Sequence, residues 1–101
     1  MRVLITAEPM FFVPLEQNAA MLQGFAAWRE RYRSVIEVFE FYAGGGGGYG
    51  ILNVTDEAML NQIMLEWPFS PFSKVVCRPT VNGDTALAQW TALLQMMGGK
   101  S

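Results

Sequence analysis

The sequence predicts an α+β fold in which helices cover one face of a four-stranded antiparallel sheet. Short segments rich in β-branched and aromatic residues alternate with longer segments whose apolar residues recur every three or four positions. Two strand-like segments in the middle of the chain are separated only by a run of glycines. The resulting order, βαββαβα, predicts one domain over residues 1–101 with an added helix near its C-terminal end.

The first half of the chain predicts a strand, a helix and a second strand. Residues 2–7 form a short segment rich in β-branched and apolar residues, which predicts the first strand. The prolines that follow at positions 9 and 14 indicate a loop. Residues 15–32 predict a helix, because four apolar residues fall four, three and four positions apart: Met21, Phe25, Trp28 and Tyr32. Residues 34–43 are dense in Val, Ile, Phe and Tyr, which predicts the second strand.

The second half predicts a hairpin loop, two strands and two helices. The glycines at 44–48 form a flexible loop before a third strand at 49–54. Asp56 and Glu57 place negatively charged side chains at the start of a predicted helix, which ends before Pro68. Residues 73–79 predict the fourth strand. A turn at 82–84 precedes the last amphipathic helix, which ends at Gly98–Gly99. This arrangement is a ferredoxin-like βαββαβ unit with an added C-terminal helix.

The composition predicts an oligomer. The chain is 51% apolar and 16% charged, whereas about 25% charged residues is usual. Two helices cover only one face of a four-stranded sheet, and we expect the other face to carry the mixed sets of alternating side chains: Leu4, Thr6, Glu8, Tyr49, Ile51, Asn53, Lys74, Val76 and Arg78. Two such faces packed sheet to sheet in a homodimer would enclose a cavity suited to a small organic ligand.

Composition also excludes several functions. Seven basic and nine acidic residues give a net charge of −2, which argues against nucleic-acid binding. The chain contains no histidine, so the usual general base and commonest metal ligand are absent, and Cys77 has no partner for a disulfide or a zinc site. We therefore expect no metal and no cofactor. Without a recognisable signal or membrane-spanning segment, we expect a cytoplasmic protein without membrane partners.

One local motif carries a family resemblance. The segment Trp-Pro-Phe-Ser-Pro-Phe at 67–72 resembles the proline-aromatic segment that follows the second helix in muconolactone isomerases. Residues 49–79 are also similar to a group of small uncharacterised bacterial proteins of the dimeric α+β barrel superfamily. The resemblance implies a homodimer or higher assembly, with the C-terminal helix packing on a neighbouring subunit. It further implies proton transfer within a small lactone carboxylate.

The expected open face of the sheet supplies the candidate site residues. Glu8 is a candidate proton carrier and Arg78 a candidate anchor for a ligand carboxylate, although each could instead be a solvated or ion-paired residue. Four further side chains offer hydrogen bonds or ring contacts to a ligand: Thr6, Tyr42, Tyr49 and Asn53.

The register of the second strand leaves a choice between two glutamates. Strict alternation puts Glu37 with Phe39 and Phe41 on one face, and Glu40 on the other with Tyr42. The two phenylalanines suit the helix-facing core, so we expect Glu40 to face the cavity as a second candidate proton carrier. The glycine run at 44–48 is either a plain connection or a lid over the cavity, and it lacks the following helix that a phosphate-binding loop requires.

Three functions therefore stay open after the sequence is read. The first is a small-ligand protein for lactones or carboxylates that also catalyses proton transfer. The second is a cofactor-independent oxygenase or cyclase acting on an aromatic substrate. The third is a binding or assembly module without catalysis. Whether the protein is an enzyme at all is not decided by its sequence.

Overall fold

A computed structural model describes residues 1–98 and contains the predicted order of strands and helices. The elements are β1 (Arg2–Pro9), α1 (Asn18–Arg31), β2 (Ile36–Phe41), β3 (Gly48–Asn53), α2 (Glu57–Glu66), β4 (Ser73–Thr80) and α3 (Gly83–Gly98). The four strands form one antiparallel sheet in the order β2-β3-β1-β4. The ferredoxin-like arrangement predicted from the sequence is confirmed.

The core lies between the sheet and helices α1 and α2. Alternation along β1 and β3 directs every second side chain toward the helices, and these are the buried ones. The buried core consists of Val3, Ile5, Trp28, Leu52, Val54 and Ile63. The indole Nε1 of Trp28 donates a hydrogen bond to the backbone oxygen of Ile63 at 2.9 Å, which joins α1 to α2 inside this core.

The helix boundaries follow from local chemistry. Helix α1 begins at Asn18 rather than near Leu15, because a short 3₁₀ turn over Leu15–Gln17 follows Pro14. At the start of α2, the Asp56 carboxylate accepts a hydrogen bond from the backbone N–H of Met59 at 2.9 Å. The helix ends before Pro68, whose ring disfavours helical backbone in the residue that precedes it.

A bulge in β2 overturns the expected separation of its two glutamates. Ile36 pairs with Leu52 and Val38 pairs with Ile51, so Glu37 is an extra residue opposite β3. A bulge interrupts the alternation of side chains. Glu37 therefore reaches Arg2, with 3.2 Å between its carboxylate and the Arg2 guanidinium. Because Arg2 belongs to the face of β1 that the helices leave uncovered, the expectation that Glu37 would face the helices is wrong.

Beyond the bulge, the predicted alternation of β2 returns. Phe39 and Phe41 face the helices, with ring centroids 5.3 and 6.4 Å from that of Phe25 on α1. Glu40 pairs with Tyr49 of β3 on the opposite face of the sheet. Both glutamates of β2 therefore lie on the face without helices.

The glycine run connects β2 to β3 as a hairpin, as predicted. Gly44, Gly45, Gly46 and Gly47 all have positive φ angles. A Cβ atom on Gly47 would lie 2.0 Å from the backbone oxygen of Ala7, so this residue also allows close approach of the loop to β1.

Helix α3 extends away from the rest of the chain. None of its residues is buried, and the principal extents of the chain are 67 × 27 × 20 Å. Its predicted end at Gly98–Gly99 is reached at Gly98, and Gly99 lies outside the described residues. Across residues 1–98, no helix has the length and apolar character needed to cross a lipid bilayer.

Candidate functional site

The sheet face opposite α1 and α2, called the open face below, carries all the candidate residues named from the sequence. The strand register places them in rows across the sheet. One row is Asn53, Arg2 and Thr80, and the bulge residue Glu37 reaches Arg2 beside it. The next row is Val38, Ile51, Leu4 and Arg78; a third is Glu40, Tyr49, Thr6 and Val76; and the last pairs Glu8 with Lys74. Most apolar side chains of this face lie in the row of Val38, Ile51 and Leu4, and polar side chains dominate the other rows.

A cavity of about 400 Å³ occupies the β1–β4 half of the open face. Six side chains line it: Leu4, Thr6, Glu8, Lys74, Val76 and Arg78. Within residues 1–98, neither Lys74 nor Arg78 takes part in a salt bridge. The cavity thus has an apolar floor at Leu4 and Val76, with Lys74 opposite the Glu8 carboxylate at one end and Arg78 at the other. The Arg78 guanidinium is the cation that an anionic ligand can reach away from Glu8.

The β2–β3 half of the open face is organised around a tyrosine and a glutamate. The Tyr49 hydroxyl donates a hydrogen bond to the Glu40 carboxylate. This hydrogen bond and the neighbouring negative charge raise the pKa of Tyr49 above the usual value for a phenol. The ring of Tyr42 stacks on that of Tyr49, with 6.2 Å between centroids and 24° between planes.

The outer row of the open face is held by an ion pair. Arg2 and Glu37 interact at the far end of β1, beside Asn53, which pairs with Arg2 across the strands. Asn53 and its neighbours are thus separated from Glu8 by the full length of β1. The seven predicted site residues share one face but do not form one cluster. The β1–β4 cavity is lined by Thr6, Glu8 and Arg78, whereas Tyr49 contacts Glu40 and Tyr42 in the β2–β3 half and Asn53 lies apart beside Arg2.

A second cavity, of about 620 Å³, lies on the helix side of the sheet and was not foreseen from the sequence. This helix-side cleft runs between α1, the loop from β1 to α1, and the segment before β4. Most of its lining is apolar, and its aromatic lining residues are Phe11, Phe12, Phe25, Phe39, Phe41, Trp67, Phe69 and Phe72. At the edge of the cleft, the Arg29 guanidinium lies over the Phe39 ring, 4.9 Å from the ring centroid.

One sequence signal pointed to the helix-side cleft. The loop after β1 contains Met10, Phe11, Phe12 and Val13 in succession, whereas surface loops are usually polar. Phe12 is 99% exposed. The prolines that flank this stretch predict only a loop that connects β1 to α1.

The remaining titratable groups are distant from both cavities or lack the partners for chemistry. Among residues 1–98, no three Cys, Asp or Glu side chains are close enough together to hold a metal ion. Partial burial raises the pKa of the Cys77 thiol. Arg33 pairs with Glu30 just after the end of α1.

Comparison with known proteins identifies the fold. No family model and no curated protein sequence matches the chain. Among solved structures, muconolactone isomerase matches with a TM-score of 0.72 and 12% identity, covering 81% of this chain and 90% of the other. The chain therefore shares the α+β fold of that protein.

A second solved structure leads to the same conclusion about the fold. It is 5-chloro-2-hydroxyhydroquinone dehydrochlorinase from Burkholderia phenoliruptrix, in complex with 2,5-dihydroxybenzoquinone. The match has a TM-score of 0.64 and 15% identity, and it covers 84% of this chain and 98% of the other. The resemblance predicted from the sequence is therefore confirmed at the level of the fold.

Proposed function

We propose that the protein is a homodimer that binds a small organic carboxylate or lactone on the open face of its sheet. The observation that carries the proposal is the cavity in which Lys74 and Arg78, both without salt-bridge partners in residues 1–98, border the apolar side chains of Leu4 and Val76. A small carboxylate presents the same combination of a charged end and an apolar body. The muconolactone isomerase that shares the fold acts, by its name, on such a compound.

The arrangement of the cavity suggests how the ligand lies. Arg78 pairs with Leu4 across β1 and β4, and Glu8 is four residues further along β1, about 13 Å at the rise of an extended strand. With the carboxylate on the planar donors of Arg78, the body of the ligand covers Thr6 and Val76 and extends toward Glu8.

Proton transfer on such a ligand requires a base and a place for the proton. Glu8 lines the same cavity as Arg78, and in the proposed reaction its carboxylate removes a proton from a ring carbon and returns it to another. The reaction is an isomerisation, with no net loss of atoms or electrons. Glu40 is the second proposed proton carrier, and the Tyr49 hydroxyl already donates a hydrogen bond to it.

Binding of muconolactone, measured by titration calorimetry, tests the anion site. We expect Arg78→Gln to weaken binding about 10- to 100-fold, because a hydrogen bond to a charged group contributes about 1.5–3 kcal/mol. Arg33→Gln is the matched control, since Arg33 pairs with Glu30 outside the cavity. Equal affinity in the Arg78→Gln and Arg33→Gln proteins would contradict the site.

Muconolactone bound to the protein also distinguishes an enzyme from a protein that only binds this compound. In D₂O, proton transfer exchanges deuterium into muconolactone, and NMR detects it. We expect Glu8→Gln to stop this exchange while muconolactone still binds, because the amide cannot act as the base. Binding without exchange in the unaltered protein would instead favour a binding module without catalysis.

The helix-side cleft favours a second candidate function, action on an aromatic compound. Its volume of about 620 Å³ falls within the range of about 300–1,000 Å³ usual for ligand pockets, and its aromatic walls suit a planar ring. The quinone 2,5-dihydroxybenzoquinone is the probe for this candidate. If its binding is weakened by Leu22→Gln in the cleft and unaffected by Arg78→Gln, the aromatic function is favoured over the carboxylate one.

A further inference from the structure

The loop between β1 and α1 is apolar along its whole length and exposed. Residues 9–15 contain no charged or polar side chain, and they lie between Glu8 and Glu16. Phe12, in the middle of the loop, is 99% exposed. Within residues 1–98, its ring contacts no other aromatic ring. A phenylalanine left in water forgoes the stabilisation that burial of its ring would give.

Phe12 lies at the helix-side cleft, where other aromatic rings offer it a place to pack. The loop lines the cleft with Phe12 and Val13. Another part of the lining consists of Phe25 of α1 and Phe39 and Phe41 of β2, with ring centroids 5.2, 5.3 and 6.4 Å apart. Phe41 is itself 69% exposed. Two exposed rings therefore border the same cleft without covering each other.

Hydrogen bonds hold the loop at both of its ends. The backbone N–H groups of Met10 and Phe11 both donate to the carbonyl oxygen of Phe72, at 2.8 and 3.3 Å. At the other end, the backbone N–H of Gln17 donates to the carbonyl oxygen of Pro14 at 2.8 Å, in the turn that leads into α1. The ring of Pro14 also restricts its φ angle, which is −53°. Both ends of the loop are thus fixed to the rest of the fold.

Two residues between these ends are free to move. In the described part of the chain, residues 1–98, the backbone N–H groups of Phe12 and Val13 donate no hydrogen bond, so a rotation there breaks none of that kind. Two residues span about 7 Å when extended, which is enough to swing the ring of Phe12 but not to displace the whole loop. A segment with few hydrogen bonds and little burial rearranges at small cost in free energy.

We infer that Phe12 and Val13, called the lid below, swing so that the Phe12 ring packs toward Phe41 and closes the mouth of the helix-side cleft over an aromatic ligand. The inference rests on the second candidate function, action on an aromatic compound, and adds the movement that encloses that compound. Closure covers two rings that the open form leaves in water, and this gain in burial favours the closed form. A flat ligand beneath the lid contacts the ring of Phe12 on one side and that of Phe25 on the other.

Disulfide trapping in the ligand-free protein tests whether the lid closes. The protein carries Cys77→Ser, which removes the exposed native thiol, together with Phe12→Cys and Phe41→Cys. A disulfide requires Cα atoms closer than about 7 Å, which we expect only in the closed form. Mild oxidation of dilute protein should therefore form an intramolecular disulfide, identified by mass after digestion.

The control protein carries Leu15→Cys in place of Phe12→Cys. Leu15 is 82% exposed and lies beyond Pro14, outside the lining of the cleft. A disulfide that forms from Phe12→Cys at least about ten times faster than from Leu15→Cys supports the lid, since only sulfurs brought face to face form the bond readily. Equal rates, or no intramolecular disulfide, overturn it.

Fluorine NMR on an intact ring tests whether a ligand closes the lid. 4-Fluorophenylalanine replaces Phe12 alone, and 2-naphthol is the aromatic probe. We expect 2-naphthol to move the fluorine signal and to reduce its response to exchange of H₂O for D₂O at least about two-fold, because closure removes water from the ring. With Leu22→Gln in the cleft, both changes should require a higher concentration of 2-naphthol.

The two experiments distinguish failure of the lid from failure of the candidate function. A fluorine signal that stays unchanged while 2-naphthol binds, as measured by the fluorescence of the naphthol, overturns the lid and leaves the aromatic site standing. If 2-naphthol does not bind but the disulfide forms, the aromatic function fails and the movement of the lid is supported.

Discussion

The hydrogen bond from Tyr49 to Glu40 shows how the open face is organised residue by residue. The two side chains meet because β2 and β3 pair Glu40 directly with Tyr49. A phenol beside a carboxylate retains its proton to higher pH, since ionisation would place two negative charges side by side. Because its pKa is raised, Tyr49 remains a hydrogen-bond donor to higher pH than a free tyrosine does.

The titration of Tyr49 is the prediction at this scale. Because the pKa of Tyr49 is raised in the folded protein, the stabilisation it contributes is complete below the unfolded pKa of a tyrosine, about 10, and is lost as pH rises through the folded value. Glu40→Gln should lower the pKa of Tyr49 toward that of a free tyrosine. Site-resolved NMR of the tyrosine ring carbons measures it, and an identical titration midpoint in both proteins would refute the assignment.

Single residues also show which side-chain positions the sequence predicts and which it does not. Alternation correctly put Thr6, Glu8 and Arg78 on one face, because side chains of a regular strand alternate. It failed at Glu37, since the bulge depends on how β2 pairs with β3. No local pattern in residues 34–43 reveals that extra residue.

At the scale of elements, the hairpin between β2 and β3 shows that the glycines of the run are not equivalent. The backbone N–H of Tyr42 donates to the oxygen of Gly47 at 2.9 Å, which closes the loop. Gly47 also approaches β1 so closely that no side chain fits, whereas Gly45 has open space around it. The sequence predicts a flexible connection, but the approach to β1 depends on the sheet order β2-β3-β1-β4.

Alanine substitutions at different glycines of the loop should therefore lower the free energy of unfolding by different amounts. Gly45→Ala meets only the strain of a positive φ angle and is expected to lower the free energy of unfolding by about 1–2 kcal/mol. Gly47→Ala adds a collision with the backbone oxygen of Ala7, so we expect a loss of about 3 kcal/mol or more. Urea denaturation of both proteins measures the difference, and equal losses would show that the contact with β1 is unimportant.

At the scale of the whole molecule, the apolar excess of the composition lies on two exposed surfaces. Fifty-one per cent of the residues are apolar, yet the fully buried core is small and α3 contributes nothing to it. The surplus lies mainly along α3 and at the mouth of the helix-side cleft, where Phe11, Phe12, Leu22 and Phe41 are exposed. The fold alone therefore leaves more apolar surface in water than a monomer usually tolerates.

Thermal stability should consequently depend on protein concentration. If assembly covers α3, mass action stabilises the folded chain, and we expect the melting temperature to rise by several degrees over about a 100-fold increase in concentration. In Trp90→Lys protein the melting temperature should stay nearly constant. Differential scanning calorimetry distinguishes the two, and a melting temperature independent of concentration in the unaltered protein would argue against an obligate assembly.

The sequence by itself determined the order of elements, the faces of the regular strands and the absence of histidine chemistry. These properties follow from short-range periodicity and from composition, which do not require knowledge of distant contacts. Only the tertiary structure decided that both glutamates of β2 share the open face, that Gly47 touches β1, and that a cleft forms under the β1–α1 loop. Each depends on which strands and helices become neighbours, and residues far apart in the chain decide that together.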